Sequence, residues 1–251
     1  MYAFIETLET RQMLSVSHPA VHAAPRSPAP IHMTPTADQT MVFQGKSLNS
    51  DGSFDADVQM TLVPVTGGTY GVRIVVLNSD GGVSNLTTTL DATGHFSFTQ
   101  TDGGGSTAVQ GQLSTDKRSF TATWSSTNSS GIRSGTASLT RSTLAVAKTA
   151  GMQFEGTGTG SDGGQGTMTA FVLQTNGGYW VALEATDPKG ETGGILLNMN
   201  PGGKINYTGT DDSGDPITVH AQMSGRTLSG SWRTLNSDGS TGGATFSLTE
   251  T

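Results

Sequence analysis

The sequence predicts an all-β protein with two tandem homologous antiparallel up-and-down β-barrel or sandwich domains of about eight strands each, after a short N-terminal helix and a Pro-rich linker. Three observations predict this fold. Apolar residues alternate with Thr, Ser and Gly at a period of two, and the joins between these segments are short and rich in Gly, Asn and Asp. The segment from Met41 to Thr251 also contains the same pattern twice.

The duplication sets the expected domain boundaries. The segment "MVFQG" at Met41 matches "MQFEG" at Met152, and the match continues as far as "TASLT" and "TFSLT". We therefore expect one β-domain over 41–142 and a second over 152–251, joined by a linker over 143–151. Residues 16–40 hold five of the nine prolines and no apolar period, which predicts an extended, disordered linker before the first domain.

The alternation predicts eight strands in the first repeat, with matching strands in the second. Their expected ranges are 41–47, 54–64, 69–77, 83–91, 95–101, 107–113, 118–126 and 132–140. Joins of two to five residues permit only antiparallel neighbours, because a parallel crossover needs about a dozen residues. A closed barrel, two packed sheets and an open meander all fit this pattern. We favour the barrel, because closure removes exposed strand edges.

The barrel hypothesis also predicts which side chains face inward. In the first domain these are Phe43, Val72, Ile74, Leu86, Leu90, Phe96, Phe98, Leu113, Trp124 and Leu139. The pentapeptide "LNSDG", which occurs at Leu48, Leu77 and Leu235, is expected to close hairpins. Asn and Asp bond their own backbone in turns, and Gly takes the left-handed conformation without steric cost.

The composition restricts the partners. Only 13% of the residues are charged, the net charge is −7 and cysteine is absent. This charge disfavours contact with nucleic acid or with an anionic membrane surface. A chain without cysteine has no disulfide framework and no thiolate metal site. Apolar runs of about 18 residues are also missing, so no transmembrane helix is expected.

Catalytic and cofactor motifs are not found, and we expect no cofactor, no resident metal and no enzyme activity. The Gly-rich segment Gly156–Gly166 leads into a strand and not a helix, which argues against phosphate binding. The histidines of the two repeats, His95 and His220, are not at matching positions. The best candidate calcium ligands are Asp51, Asp55 and Asp57, and separately Asp211, Asp212 and Asp215. Neither set has the spacing of a calcium loop, so solvated turn carboxylates are the preferred interpretation.

Two adjacent aromatic residues, Tyr179 and Trp180, form a possible binding surface. Neighbouring strand residues point to opposite faces, so one of the two must face outward unless a barrel-to-barrel contact covers it. An exposed aromatic ring can stack on sugar rings or anchor a partner.

The N-terminal segment "FIETLETRQMLS" resembles the LEPR-XLL type of sorting motif, which stands at the head of many secreted or surface proteins of planctomycetes and related bacteria. The residues that carry the resemblance are Glu6, Leu8, Glu9, Arg11, Met13, Leu14 and Ser15. Thr10 replaces the usual proline. The resemblance implies export or sorting to the cell envelope; as local structure, the same segment predicts a short exposed helix over 1–15. Separately, "FQG", "FEG" and "GSW" are similar to the Gly-x-Trp entry of calycin barrels. This similarity covers only a tripeptide and does not identify a family.

These features favour a non-enzymatic secreted or cell-envelope protein whose β-domains are structural or adhesive modules, with envelope components or glycans as candidate partners. The alternative is a small-ligand-binding or inhibitor-type calycin-like barrel. A barrel filled by its own side chains favours the first, and an open apolar cup favours the second.

Overall fold

A computed structural model of the chain describes residues 40–65, 68–102, 105–129, 131–145, 151–161, 163–190, 192–210, 215–235 and 239–251. All regular structure in these ranges is β-strand. The expected helix over 1–15 and all but the last residue of the 16–40 linker lie outside the described residues. In the described ranges, no helix is long and apolar enough to cross a membrane.

The first eight strands form one sheet, which we call the first barrel. They are β1 (Met41–Asn49), β2 (Phe54–Pro64), β3 (Tyr70–Asn78), β4 (Val83–Leu90), β5 (His95–Asp102), β6 (Gly105–Leu113), β7 (Ser119–Asn128) and β8 (Gly131–Arg141). All eight predicted strands are confirmed, with boundaries that differ by no more than about two residues, within the uncertainty of sequence patterns.

The last eight strands form a separate sheet, the second barrel. They are β9 (Met152–Gly160), β10 (Gln165–Thr175), β11 (Gly178–Thr186), β12 (Thr192–Met199), β13 (Lys204–Thr210), β14 (Pro216–Ser224), β15 (Thr227–Leu235) and β16 (Thr241–Glu250). The two sheets share no strand.

Each sheet is an antiparallel meander that curls until its first and last strands pair. The first sheet has the order β4-β3-β2-β1-β8-β7-β6-β5, and the second has the same order in its own strands. The pairing of β1 with β8, and of β9 with β16, makes each sheet a nearly closed barrel. Closure is incomplete, because β4 and β5 remain the edge strands of the first sheet and β12 and β13 those of the second.

The buried core of each barrel is built from alternate positions of all the strands. In the first barrel it contains Met41, Phe43, Val58, Met60, Leu62, Val72, Ile74, Leu90, Phe96, Leu113, Phe120 and Leu139. Of the ten predicted inward residues, seven are buried members of this core. Leu86 and Phe98 pack against it while partly exposed, and Trp124 is also partly exposed.

The repeated "F-x-G" of the first strand in each barrel is explained by close packing of the backbone. A Cβ atom on Gly45 would overlap the carbonyl oxygen of Ser138, and one on Gly156 would overlap the carbonyl oxygen of Ser247. Glycine inside a strand marks such a close approach. These two glycines therefore serve barrel geometry.

The first two "LNSDG" segments close hairpins as predicted. In the first, the Gly52 amide donates to the Asn49 carbonyl at 2.9 Å, and Gly52 has a φ of 84°. The side chain of Asp51 accepts the amide and hydroxyl of Ser53. The second copy repeats the bond, with the Gly81 amide on the Asn78 carbonyl. In the third copy, residues 236–238 lie outside the described ranges.

Candidate functional site

The inner side chains of the first barrel lie in levels, because strand register places one residue of each strand opposite its neighbours. On β5 to β8, a floor level consists of Phe98, Val109, Trp124 and Gly135. The next level toward the end of the barrel consists of Gln100, Thr107, Ser126 and Arg133, and we call it the rim level. The floor is largely apolar and the rim is polar.

The side chains of these two levels are accessible to solvent. Phe98, Gln100, Thr107, Val109, Trp124 and Ser126 are all partly exposed although they occupy inward positions. We call these six residues the open end of the first barrel. The Thr107 hydroxyl donates to the Ser126 hydroxyl at 3.0 Å, which fixes two rim groups relative to each other.

Trp124 has a defined orientation at the floor of this open end. Its indole lies over Gly135, where a Cβ atom would come within 2.7 Å of two ring carbons. The ring crosses β8 in this way, and its Nε1–H donates to the Ser47 hydroxyl on β1 at 2.9 Å. Gly135 thus provides the space that the indole needs to reach β1.

A β-bulge supplies the next member of this hydrogen-bond chain. The ladder between β1 and β2 shifts after Ser47, so that Asp55 is an extra residue without a paired partner. The Ser47 hydroxyl donates to Asp55 Oδ2 at 2.9 Å. Bulges often occur at barrel rims, where they redirect a side chain. Here the bulge turns a carboxylate toward the serine that holds Trp124.

The carboxylate of Asp55 also neutralises a cation at the rim. Arg133 Nη2 lies 3.7 Å from Asp55 Oδ1, and it donates to Asn49 Oδ1 at 3.1 Å. Arg133 is therefore drawn toward β1. Among the four rim residues only Arg133 is charged, and its charge is already paired.

Most of the same positions of the second barrel are buried. Its floor level is Tyr207, Val219, Trp232 and Ala244, and its rim level is Gly209, Ile217, Thr234 and Gly242. Val219 is 1% exposed and Trp232 is 6% exposed, while the equivalent Val109 and Trp124 are partly exposed. Residue type does not explain this difference, because both pairs are identical.

The exposed strands of both barrels share a pattern of hydroxyl pairs, which we call the hydroxyl face. In the first barrel Thr121 lies opposite Ser138, and Thr123 opposite Thr136, on the outer face of β7 and β8. All four side chains are exposed. The second barrel repeats the rows on β15 and β16, as Ser229 with Ser247 and Ser231 with Thr245.

The predicted aromatic surface is divided between two environments. Tyr179 points inward and packs against the core of the second barrel. Trp180 points outward and is partly exposed, between Leu173 of β10 and Asn198 of β12. Only Trp180 is therefore placed on the outer face, and its role in binding stays a prediction.

The candidate calcium ligands have separate environments. Asp51 accepts bonds within its turn, and these bonds from Ser53 hold its pKa below the usual value. Asp57 lies opposite Lys46 on the outer face; burial raises its pKa to about 6, against the opposing effect of the Lys46 charge. Asp215 is buried, and 211–212 lie outside the described ranges. Over the residues that the structure describes, no group of three or more His, Asp or Glu side chains could hold a metal ion.

The two domain histidines differ in position as predicted. His95 begins β5, and its backbone amide donates to Asp91. His220 is on the outer face of β14, with Nδ1 at 3.0 Å from Asn206 Oδ1. The depression around it is shallow, with a volume of about 320 Å³, and is lined by Lys204 and Gln222 among others. It is too open to enclose a ligand.

No family model matches the chain, and no curated protein matches it. The chain is similar to solved structures at low identity. One is a suggested outer membrane protein from Bacteroides fragilis NCTC 9343, with 13% identity, a TM-score of 0.29 and coverage of 84% of this chain and 96% of that one. Another is a DUF3598-family protein of unknown function from Nostoc punctiforme, with 10% identity, a TM-score of 0.27 and coverage of 84% and 95%. At these TM-scores the likeness supports no functional conclusion.

Sequence reasoning missed the open end. Trp124 and Phe98 were expected inside, but nothing local indicated that they would stay solvent-accessible. One signal was available: Asp55 interrupts the alternation of β2, and the second repeat has no residue at that position.

Proposed function

We propose that this protein is a non-enzymatic exported or cell-envelope protein whose two barrels are adhesive modules for neutral polysaccharide. The observation that carries the proposal is the hydroxyl face, which both barrels retain. Hydroxyl groups both donate and accept hydrogen bonds and carry no charge, as do the hydroxyls of a neutral sugar chain. Two weak sites on one chain increase the overall affinity for a polymer through avidity.

Other features support the same interpretation. The second barrel is filled by its own side chains, including Trp232 and Ile217, so function at its surface is favoured. The net charge of −7 argues against anionic polymers as partners. Export is proposed on the resemblance of residues 4–15 to a sorting motif, a segment that lies outside the described residues.

Binding is tested with the full chain and a panel of immobilised neutral polysaccharides. The variant T123D/T136D places carboxylates on the hydroxyl face of the first barrel, and S231D/T245D does so in the second. We expect each double variant to weaken retention and their combination to abolish it. Thr87→Asp, on exposed β4 of the first barrel, is the matched control. Equal retention of all variants, or no retention of the natural chain, would contradict the adhesive role.

Export is tested by expressing the chain in a planctomycete host with natural residues 1–15 or with Glu9→Ala and Arg11→Ala. We expect the natural chain in the envelope or medium fraction and the variant in the cell interior. The same distribution for both chains would contradict the sorting role.

A second candidate function is a small-ligand-binding barrel. It is favoured by one observation, the solvent-accessible aromatic floor of the first barrel at Phe98 and Trp124. Barrel mouths are common places for small-molecule sites.

A further inference from the structure

We propose that the open end of the first barrel is a binding site for a small, uncharged ring compound that carries hydroxyl or carbonyl groups. This inference rests on the second candidate function and assigns its site and ligand class. It does not depend on the polysaccharide role.

The floor of the site determines the apolar part of the ligand. Phe98, Val109 and Trp124 present two aromatic rings and one aliphatic side chain at a single level. Aromatic side chains prefer offset-stacked or edge-to-face contact with another ring. A flat ring fits this floor better than a flexible chain does.

The orientation of the Trp124 ring is fixed before a ligand arrives. Its Nε1–H is bonded to Ser47, whose hydroxyl is in turn bonded to Asp55. Ser47 is 4% exposed, so the serine is shielded from solvent although the indole ring is partly exposed. A pre-organised contact group costs less conformational entropy on binding.

The rim determines the polar part of the ligand. Gln100, Thr107 and Ser126 supply one amide and two hydroxyl groups at the level directly above the floor. These groups can both donate and accept, so they suit hydroxyl or carbonyl substituents on the ring. The remaining rim side chain, Arg133, is already held by Asp55 and Asn49. A neutral ligand therefore fits better than an anion.

The second barrel shows what a filled version of this site looks like. Ile217 replaces Thr107, Thr234 replaces Ser126, and Phe246 packs against Trp232 with ring centroids 6.2 Å apart. Ala137 occupies the position of Phe246 in the first barrel, where Trp124 is partly exposed. The two barrels can therefore be compared directly. The floor tryptophan is accessible in the first barrel, and its equivalent is covered in the second.

The test titrates the full chain with N-phenyl-1-naphthylamine, a neutral aromatic probe, and follows probe emission and tryptophan quenching. Ser126→Phe fills the open end from β7, and its matched control is Ser125→Phe, which adds the same side chain to the exposed outer face of that strand. We expect saturable binding by the natural chain and the control, and affinity at least about tenfold lower for Ser126→Phe.

A second variant keeps the test decisive if Ser126→Phe does not fold. Thr107→Ile introduces the residue that the second barrel already buries at this position, and we expect it to lower probe affinity while its thermal melt stays cooperative. If the natural chain binds no probe, both this site and the small-ligand function are overturned. If the probe binds equally to all four chains, the site assignment is wrong but a small-ligand function elsewhere survives.

The charge of the ligand is tested with an anionic relative of the probe, 1-anilinonaphthalene-8-sulfonate. We expect it to bind more weakly than the neutral probe. Tighter binding of the anion that is lost in Arg133→Gln would overturn the assignment of a neutral ligand.

Discussion

The two barrels share one topology but fill the same level of their cores in opposite ways. The level directly below the floor comprises Phe96, Gly111, Ala122 and Ala137 in the first barrel, and Ile205, Ala221, Gly230 and Phe246 in the second. The large aromatic residue is on β5 in one barrel and on the last strand in the other. The Gly–Ala pair of the two middle strands is also reversed.

This exchange shows that packing constrains the total side-chain volume of a level. The identity of the residue at each position within the level is less constrained. Cores tolerate substitution when total volume and pattern are kept. In the first barrel Phe96 stacks on Phe120 at 5.7 Å between centroids, away from the open end. In the second barrel Phe246 packs toward Trp232 instead. The phenylalanine of this level thus packs against Phe120 in the first barrel and against the floor tryptophan in the second.

The largest expected effect comes from adding side-chain volume to this level of the first barrel. A Cβ atom on Gly111 would overlap the Phe120 ring and come within 2.5 Å of Phe96 Cε1. We expect Gly111→Ala to destabilise the first barrel by about 2 to 3 kcal/mol through overpacking, measured by urea unfolding. The reverse change in the second barrel, Ala221→Gly, should cost only about 1 kcal/mol. A similar cost for the two changes would show that packing at this level is not the limiting interaction.

A second prediction concerns a feature that the barrels share. The Gln112 amide donates to the carbonyls of Thr93 and Leu113 and so attaches the turn between β4 and β5 to the end of β6. Gln222 makes the equivalent bonds to Gly202 and Met223. We expect Gln112→Ala and Gln222→Ala to cost about 1 to 2 kcal/mol each, seen as similar shifts in thermal unfolding. Gln110→Ala, at an exposed position of β6, is the control, and a clear inequality between the two barrels would contradict equivalent roles.

The third prediction uses a pair that only the first barrel has. Lys46 lies opposite Asp57, whereas the second barrel has Thr157 opposite Thr167. Burial raises the pKa of Asp57 from its ordinary value of 3.8 to about 6, so the folded state holds this proton more tightly than the unfolded state. The resulting stabilisation is complete below the unfolded pKa and is lost as the pH rises through about 6.

We therefore expect the natural chain to lose about 1 kcal/mol of stability between about pH 5 and pH 7.5. Asp57→Asn should remove this pH dependence, as measured by urea unfolding at the two pH values. The pKa values of Asp51, Asp91 and Asp116 are lowered by hydrogen bonds in their turns. The stability that these three carboxylates contribute is lost only at more acidic pH, so it does not oppose the loss of stability expected from Asp57. A rise in stability over the same range would contradict the assignment.

The smallest expected effect concerns the hydrogen bond of Trp124. Ser47→Ala removes the acceptor of its Nε1–H, but water can replace it because the ring is partly exposed. We expect a cost of about 0.5 to 1 kcal/mol and greater quenching of tryptophan emission by acrylamide. Ser50→Ala, in the exposed turn after β1, is the control. Unchanged quenching in Ser47→Ala would show that the bond does not orient the ring.

Much of the fold was predictable because its determinants are local. Alternation such as Tyr70, Val72, Ile74 and Val76 depends on residues two apart, and turn chemistry at "NSDG" depends on four neighbours. The open end depends instead on contacts such as Trp124 with Ser47, which are distant in sequence. It also depends on a bulge whose position follows from strand register. The contact has no local signature, and the bulge is marked in the sequence only by the extra residue Asp55 in β2.

The sequence by itself determined the number of strands, the position of their turns, the duplication and the inward face of each strand, because these follow from the period of a pleated chain and from the conformational preferences of Gly, Asn and Asp. Only the tertiary structure decided where each barrel stays unpaired, and that Trp124 is accessible while Trp232 is covered. Those outcomes depend on how side chains from different strands share a fixed interior volume, and that volume exists only once the sheet has curled.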